Sequence, residues 1–163
     1  MSKHIQLSQG KIATVDDPDY DRLNQHKWYA QKSRSGWRAA RNKIVQSTGQ
    51  RTIILMHRAI MEASPGLQID HCNGNGLDNR RSNLRYCTNS QNQMNSKKRA
   101  GSTSRFKGVS WDAVNRKWRA DVMINYRGRN LGRFDGELDA ARAYNKAASE
   151  LFDEFARANV TDL

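Results

Sequence analysis

The chain has 163 residues and a mass of 18.6 kDa, enough for one ordinary domain or two small ones. Twenty-eight Lys and Arg against sixteen Asp and Glu leave a formal charge of +12, which favours polyanionic partners, nucleic acid before an anionic membrane surface. Hydrophobic residues make up only 37%, so a modest or split core is expected; no apolar run approaches the ~18 residues of a membrane span, and two cysteines, Cys72 and Cys87, are too few for a disulfide scaffold.

Charge is spread unevenly, with net +7 over residues 1–96, +9 over 97–133 and −4 over 134–163. A strongly basic segment followed by an acidic one reads as a working face backed by a support element. No apolar stretch of a secretory signal opens the chain at Met1–Gln6.

Residues 1–56 read as short strands. Ile5–Leu7 and Lys11–Val15 flank the turn Ser8-Gln9-Gly10, and Asp16-Asp17-Pro18-Asp19 reads as a breaker. Trp28–Gln31, Trp37–Arg41 and Arg51–Leu55 follow, with Gly and Ser punctuation that favours an antiparallel meander. His57–Glu62 is a short helix candidate. A polar, loop-rich stretch leads to a helix from Asn89, with Thr88 or Asn89 as its N-cap. Residues 97–104 read as a basic linker. Strands are expected at Phe106–Trp111, Trp118–Ile124 and Asn130–Phe134. The middle one alternates: Trp118, Ala120, Val122 and Ile124 on one face, Arg119, Asp121 and Met123 on the other. Leu138, Ala141, Tyr144, Ala148, Leu151 and Phe152 recur at helical spacing over residues 137–152, with alanines between that allow a sheet to approach closely.

Two constellations carry chemistry. The first runs Asp70-His71-Cys72-Asn73-Gly74-Asn75, then Leu77-Asp78-Asn79-Arg80, then Asn83-Leu84-Arg85, and ends in Thr88-Asn89-Ser90-Gln91-Asn92, with Met56-His57-Arg58 upstream. It resembles the HNH endonuclease family in its phage and homing-endonuclease branch. The resemblance implies a ββα-metal fold around one divalent cation, with Asp70 and Asn92 as oxygen ligands of Mg²⁺, or alternatively Mn²⁺. It implies His71 as general base; an imidazole titrates near ~6.5 and takes a proton from water at neutral pH. Asn83, twelve residues after His71, bridges the loop in that family and is expected to orient His71. Neighbouring strand residues point to opposite faces, so Asp70-His71 demands a strand terminus, which Asn73-Gly74-Asn75-Gly76 supplies. His57 is read as a packing or helix-start residue rather than a supporting group of the site. Cys72 and Cys87 lack paired zinc-site spacing and are read as buried thiols.

The second constellation is Phe106-Lys107-Gly108-Val109, Lys117-Trp118-Arg119-Ala120, Leu131-Gly132-Arg133-Phe134 and Ala140-Ala141-Arg142-Ala143-Tyr144-Asn145. It resembles the Apetala-two/ethylene-response-factor DNA-binding domain, and implies a three-stranded antiparallel sheet laid in the major groove with a helix behind it. Arg119 reads guanine edges and Asp121 accepts from cytosine in this scheme. Lys107, Arg116, Lys117, Arg127, Arg129 and Arg133 contact phosphates, joined by Lys97, Lys98, Arg99 and Arg105 at the linker. Trp111 stacks on DNA or packs in the core, at even odds. Lys107, Ser110 and Met123 depart from the plant pattern, so no target sequence carries over.

The expected molecule is an α+β metal-dependent DNA endonuclease of the cytoplasm of a bacterial or phage-infected cell. It comprises an N-terminal β region and nuclease domain (1–96), the linker (97–104) and a DNA-binding domain (105–163). One site per chain favours nicking of double-stranded DNA by a monomer. The rivals are a non-catalytic DNA-binding regulator, a zinc-held nucleic-acid module and an RNase. Residues 1–56 either clamp DNA through Lys27, Lys32, Arg34, Arg38 and Arg41 or complete a β scaffold.

Overall fold

The computed structural model describes every residue except Arg34, Arg99, Ala100, Asp162 and Leu163. It divides into two compact units, Met1–Thr88 and Asn89–Leu163. The division falls ahead of the expected boundary at 96/97.

The first unit opens with β1 (Ser2–Gln6) and β2 (Ile12–Asp16), an antiparallel pair joined by a single 3-10 turn at Ser8–Gly10. The expected breaker then starts a helix instead, α1 (Asp17–Asn24). Proline is tolerated in a first helical turn, where its missing N–H has no partner to lose, and Asp17 and Asp19 suit the positive helix end. The meander expected next is present: β3 (Tyr29–Ser33), β4 (Gly36–Ile44) and β5 (Arg51–Leu55) form one antiparallel sheet in that order. Helix α2 (Met56–Met61) follows without a loop and ends on Glu62 in the left-handed region. Last comes the hairpin of β6 (Gln68–His71) and β7 (Leu84–Cys87), joined by a long irregular loop.

One core unites these pieces. Ile5, Val15, Leu23, Trp28, Ala39, Met56, Ile60, Ile69 and Leu84 are buried together, so every element from β1 to β7 contributes to it. The N-terminal elements also hold the irregular loop directly. Thr14 accepts from Asn79 N at 2.7 Å and donates its N–H to Leu77 O at 2.9 Å, forming a parallel bridge. Asp16 accepts from Arg81 N at 2.7 Å, and Arg81 forks onto buried Asp19 at 2.7 and 2.8 Å. Residues 1–24 thus complete a scaffold under the loop, which settles one of the two roles open for this region; Arg34, named for the other, lies outside the described residues.

The second unit carries α3 (Asn89–Met94), then β8 (Val109–Asp112), β9 (Lys117–Ile124) and β10 (Arg127–Phe134) in one antiparallel sheet with β9 central, then α4 (Glu137–Phe152). Ala140, Ala141 and Ala148 of α4 are fully buried beside Tyr144 and Phe152, and their short side chains let the helix sit close on β9. Gly108 is required for that closeness. Its φ is +74°, and a Cβ there would strike the Tyr144 ring and lie 2.7 Å from Asp121 O. The segment read as a linker is tied down at one end: Ser104 is buried, donates to Glu137 Oε1 at 2.7 Å and accepts from Phe106 N at 2.9 Å. No helix among the described residues is long and apolar enough to cross a membrane.

Candidate active site

The hairpin β6–β7 and its loop bring together Asp70, His71, Asn79 and Asn83 of the first constellation, whereas Asn92 lies on α3 of the second unit. Strand β6 ends at His71, and the chain turns at once: Gly74 N donates to His71 O at 2.7 Å and Cys72 N to Asn83 O at 2.9 Å. The strand terminus that the Asp70-His71 pair demands is therefore present. Asp70 lies directly opposite Arg85 in the ladder. Its Oδ2 accepts from Arg85 at 2.9 and 3.2 Å, and both side chains are largely buried, at 9% and 14% exposure. A buried carboxylate needs such a partner to remain ionised.

His71 is held by different neighbours from the one expected. Its Nε2 lies 3.2 Å from Asn79 Oδ1, and its ring meets His57 edge-on at 5.0 Å between centroids. Asn83 works on the loop: its Oδ1 accepts from Asn73 N at 3.0 Å and its Nδ2 donates to Asp78 O at 2.7 Å. The loop-bridging expected of Asn83 is thus seen, whereas Asn79 is the asparagine set against the imidazole. Asp78 ties the same loop further, accepting from Arg80 twice at 2.7 Å and from Asn73 Nδ2 at 2.9 Å. Arg80 accordingly holds the Asp78 carboxyl below its ordinary range.

With Asn79 Oδ1 as acceptor, Nε2 carries the ring proton of His71 and the lone pair falls on Nδ1. Burial pushes His71 below its ordinary value, against the Asn79 hydrogen bond and the Asp70 and Asp78 charges, which raise it. His57 is pushed further, to about 3, by burial and then by the neighbouring His71 and arginines. Both rings are therefore neutral at pH 7, which a proton acceptor requires. His57 is buried on α2 and contacts His71 directly, so it belongs to the site, not only to the helix start.

Arg85 and Asn79 are the site residues that sequence reasoning left without a role, and His57 was read first as a packing or helix-start residue. Each stood inside a motif. The Asp70–Arg85 pairing needs the hairpin register, Asn79 the loop path over β2, and His57 the packing of α2 against β6. Cys72 also departs from expectation: it is exposed just past the strand end, whereas Cys87 is buried. Among the described residues, no three His, Cys, Asp or Glu side chains gather around a common point. The donor of the first unit that suits a divalent ion is the Asp70 carboxylate oxygen; Asn92, the other ligand expected from the resemblance, lies on α3 of the second unit. Both suit Mg²⁺ or Mn²⁺.

The second constellation forms the exposed face of β8–β10. Arg119 pairs across the sheet with Ser110 on one side and Arg133 on the other. Two guanidiniums opposite each other repel, and each has a carboxylate beside it: Arg119 Nε lies 2.6 Å from Asp121 and Arg133 Nε 2.7 Å from Asp112. Lys117 lies 3.3 Å from Asp135. Arg116, Arg127 and Arg129 are exposed, but Arg127 and Arg129 pair with Ile124 and Val122, opposite the face that carries Arg119. Two more residues differ from their sequence reading. Trp111 pairs with Trp118 and meets it edge-on at 5.1 Å, on the helix side of the sheet, away from Arg119. Lys107 turns off the sheet altogether, its Nζ donating to Met94 O at 2.5 Å with Gln93 O at 3.4 Å. Lys97 and Lys98 are exposed, as is Arg105, which lies 3.8 Å from Glu137. Arg99 lies outside the described residues.

Residues 55–94, from the end of β5 through α3, match the family model described as HNH endonuclease. No solved structure matches the chain. Protein 3.8 of Escherichia phage T7 is 33% identical over 97 residues, covering 56% of this chain and 75% of that relative. An uncharacterized HNH endonuclease of Acanthamoeba polyphaga mimivirus is 30% identical over 154 residues, covering 94% of this chain and 78% of the viral protein. That likeness extends well beyond residues 55–94 and takes in most of both units, and with it the chain belongs to the HNH endonuclease family.

Proposed function

We propose that the protein is a metal-dependent DNA endonuclease that nicks one strand of a duplex, with the second unit biasing where it binds. The observation that carries the reading is a neutral, half-buried His71 at a strand end, held through Nε2 by Asn79 and placed one residue from Asp70, itself paired with Arg85. His71 Nδ1 takes the proton of a water as that water attacks phosphorus. Asn79 fixes the tautomer, and His57 packs the ring from its edge. Arg85 orients the Asp70 carboxylate within the hairpin. Asp70, with Asn92, would hold the cation. A bound Mg²⁺ or Mn²⁺ supplies a Lewis acid that offsets charge growing on the phosphoryl oxygens. Hydrolysis in this sense leaves a 5′-phosphate and a 3′-hydroxyl.

The row Arg119–Arg133 and Arg116 supply phosphate and base contacts, an arrangement that resembles the Apetala-two/ethylene-response-factor sheet. The acidic partners Asp121 and Asp112 set the spacing of the guanidiniums before DNA arrives. One site per chain supports nicking by a monomer in the cytoplasm of a bacterial or phage-infected cell.

Plasmid cleavage tests the proposal. Supercoiled DNA is incubated at low salt with wild type and His71→Ala, in EDTA, Mg²⁺ or Mn²⁺. Open circles are expected from wild type with metal alone, and the variant should be slower by roughly 10²–10⁴-fold, the span of a general base. Wild type that shifts DNA in a gel yet cuts neither plasmid nor source-genome DNA would establish the non-catalytic regulator instead.

A further inference from the structure

The second unit contains an open cavity of about 400 Å³ lined by five cations, Lys97, Lys98, Arg105, Lys107 and Arg157, with no carboxylate among the described residues of its wall. The wall is built, not incidental. Asn145 of α4 exchanges two hydrogen bonds with the backbone of Asn159, at 2.7 and 2.9 Å. Asn159 in turn exchanges two with the backbone of Lys107, at 2.7 and 3.1 Å. This double clasp fixes the segment carrying Arg157 beside the segment carrying Lys107.

The positive charge there is poorly compensated. Lys107 is held by the backbone carbonyls of Gln93 and Met94, and Lys98 by Ser102 Oγ at 3.2 Å and Ser104 O at 2.7 Å, all neutral acceptors. Arg157 is half-buried and has no anionic partner among the described residues. Among the described residues, Arg105 is the one cation of the wall with a carboxylate in reach, Glu137 at 3.8 Å. Burial and the charge of Arg157 push Lys107 down to about 8. Like charges gathered in a concave, partly dry site raise the local potential and draw in a counter-anion.

We propose that this cavity is a phosphate-binding site, with Arg157 and Lys107 as its principal charges and Asn159 as the clasp that holds them together. Arg157 supplies the planar fork that matches phosphoryl oxygens, and Lys107 a point charge beside it. The occupant is a phosphoryl group, either of the DNA backbone or free in solution. The DNA alternative rests on the nuclease reading; the free-phosphate alternative does not.

The test uses the full chain without divalent metal, so no arm depends on cleavage. Melting is followed in sodium phosphate and in sodium chloride of matched ionic strength, for wild type, Arg157→Gln, Lys107→Met and Arg157→Lys. Wild type should gain a saturable, phosphate-specific increase in Tm. Arg157→Gln and Lys107→Met should each need about tenfold more phosphate for the same gain, the size of one lost charge-assisted hydrogen bond; Arg157→Lys should recover most of it. A second arm measures affinity for a short duplex against salt. If the log–log slope of Arg157→Gln falls by about 0.9, a DNA phosphate fills the cavity; an unchanged slope with the phosphate effect intact assigns it to free phosphate. No phosphate-specific gain in wild type, or the same gain in Arg157→Gln and Lys107→Met, overturns the site whatever the duplex shows. Should Arg157→Gln fail to fold in chloride, Lys107→Met and Arg157→Lys decide it. The plasmid result with His71→Ala stands or falls separately.

Discussion

Asp19, His57, Asp70, Asp78, Asn79 and Asn83 are all buried in the first unit, whereas the second buries Ala120, Ala140, Ala141, Ala147 and Ala148 around Tyr144 and Phe152. The second unit's buried polar residues are Asn95 and Ser104 among those described. Buried polar groups cost stability unless they are hydrogen-bonded, so the first unit carries a larger buried polar network than the second. The difference follows from the work each does. A proton acceptor must be kept neutral and aimed, which needs a dry, polar, ordered surround. A DNA-contacting sheet needs cations at its surface and beneath them only a flat, close-packed support.

If that contrast is right, each unit fails in its own way. The largest expected effect on folding is Gly108→Ala, because the new Cβ meets the buried Tyr144 ring and the backbone of β9 while demanding a left-handed conformation. Overpacking and backbone strain together are expected to cost about 3 kcal/mol. Denaturation monitored with DNA binding checks it; a loss under 1 kcal/mol would mean that the helix–sheet contact is soft.

Asp19→Ala is the matching lesion of the first unit. It removes the carboxylate that takes Arg81 and Arg22, and about 2 kcal/mol should be lost, reduced from a fully buried pair because both arginines are half-exposed. Arg81, the strongest influence, holds Asp19 below its ordinary 3.8. The unfolded state therefore binds the proton first, and this contribution, full above that value, is lost as pH falls through the lower folded value.

His57 acts in a different window. Its folded pKa near 3 lies below its ordinary 6.5, so between these values the unfolded chain binds the extra proton. Stability should thus decline as pH drops from about 6.5 toward 3, before Asp19 begins to matter. His57→Phe keeps a ring against His71 and should flatten urea midpoints between pH 6 and pH 4, by roughly 1 kcal/mol or more relative to wild type. An unaltered acid slope would show that His57 does not remain neutral in the fold.

The smallest effect is expected on the exposed sheet. Arg119→Ala should leave stability within about 0.5 kcal/mol, as surface changes usually do, and lower the salt slope of DNA binding by about 0.9 if that guanidinium meets a phosphate. A drop of several kcal/mol would place Arg119 in the structural network and erase the contrast between the units.

The sequence exposed some of this and concealed the rest, for physical reasons. Period-two alternation marked β9 because one of its faces is buried and the other is not. Helical spacing marked α4 for the same reason. Asp17-Pro18 misled because a proline that breaks a helix interior is welcome in a helix's first turn. Asp70 and His71 were legible from residue type and order. Arg85 and Asn79 were not, because their roles depend on a hairpin register and on a loop crossing β2, and the contact of His57 with His71 depends on how α2 packs; these are long-range facts without a local signature. Lys107 looked like one more basic strand residue; its direction is set by Asn159, far along the chain.

The bridge between Thr14 and the loop has a consequence for exchange with solvent. The Asn79 amide proton is donated to Thr14 O at 2.7 Å, and Thr14 N closes the second bond to Leu77 O. That amide cannot trade its hydrogen for deuterium by fraying of the loop alone; β2 must first let go, and β2 is bound into the core through Ala13 and Val15, both fully buried. The residue that holds the imidazole should thus be among the slowest-exchanging positions of the first unit, although it sits in a segment with no regular secondary structure.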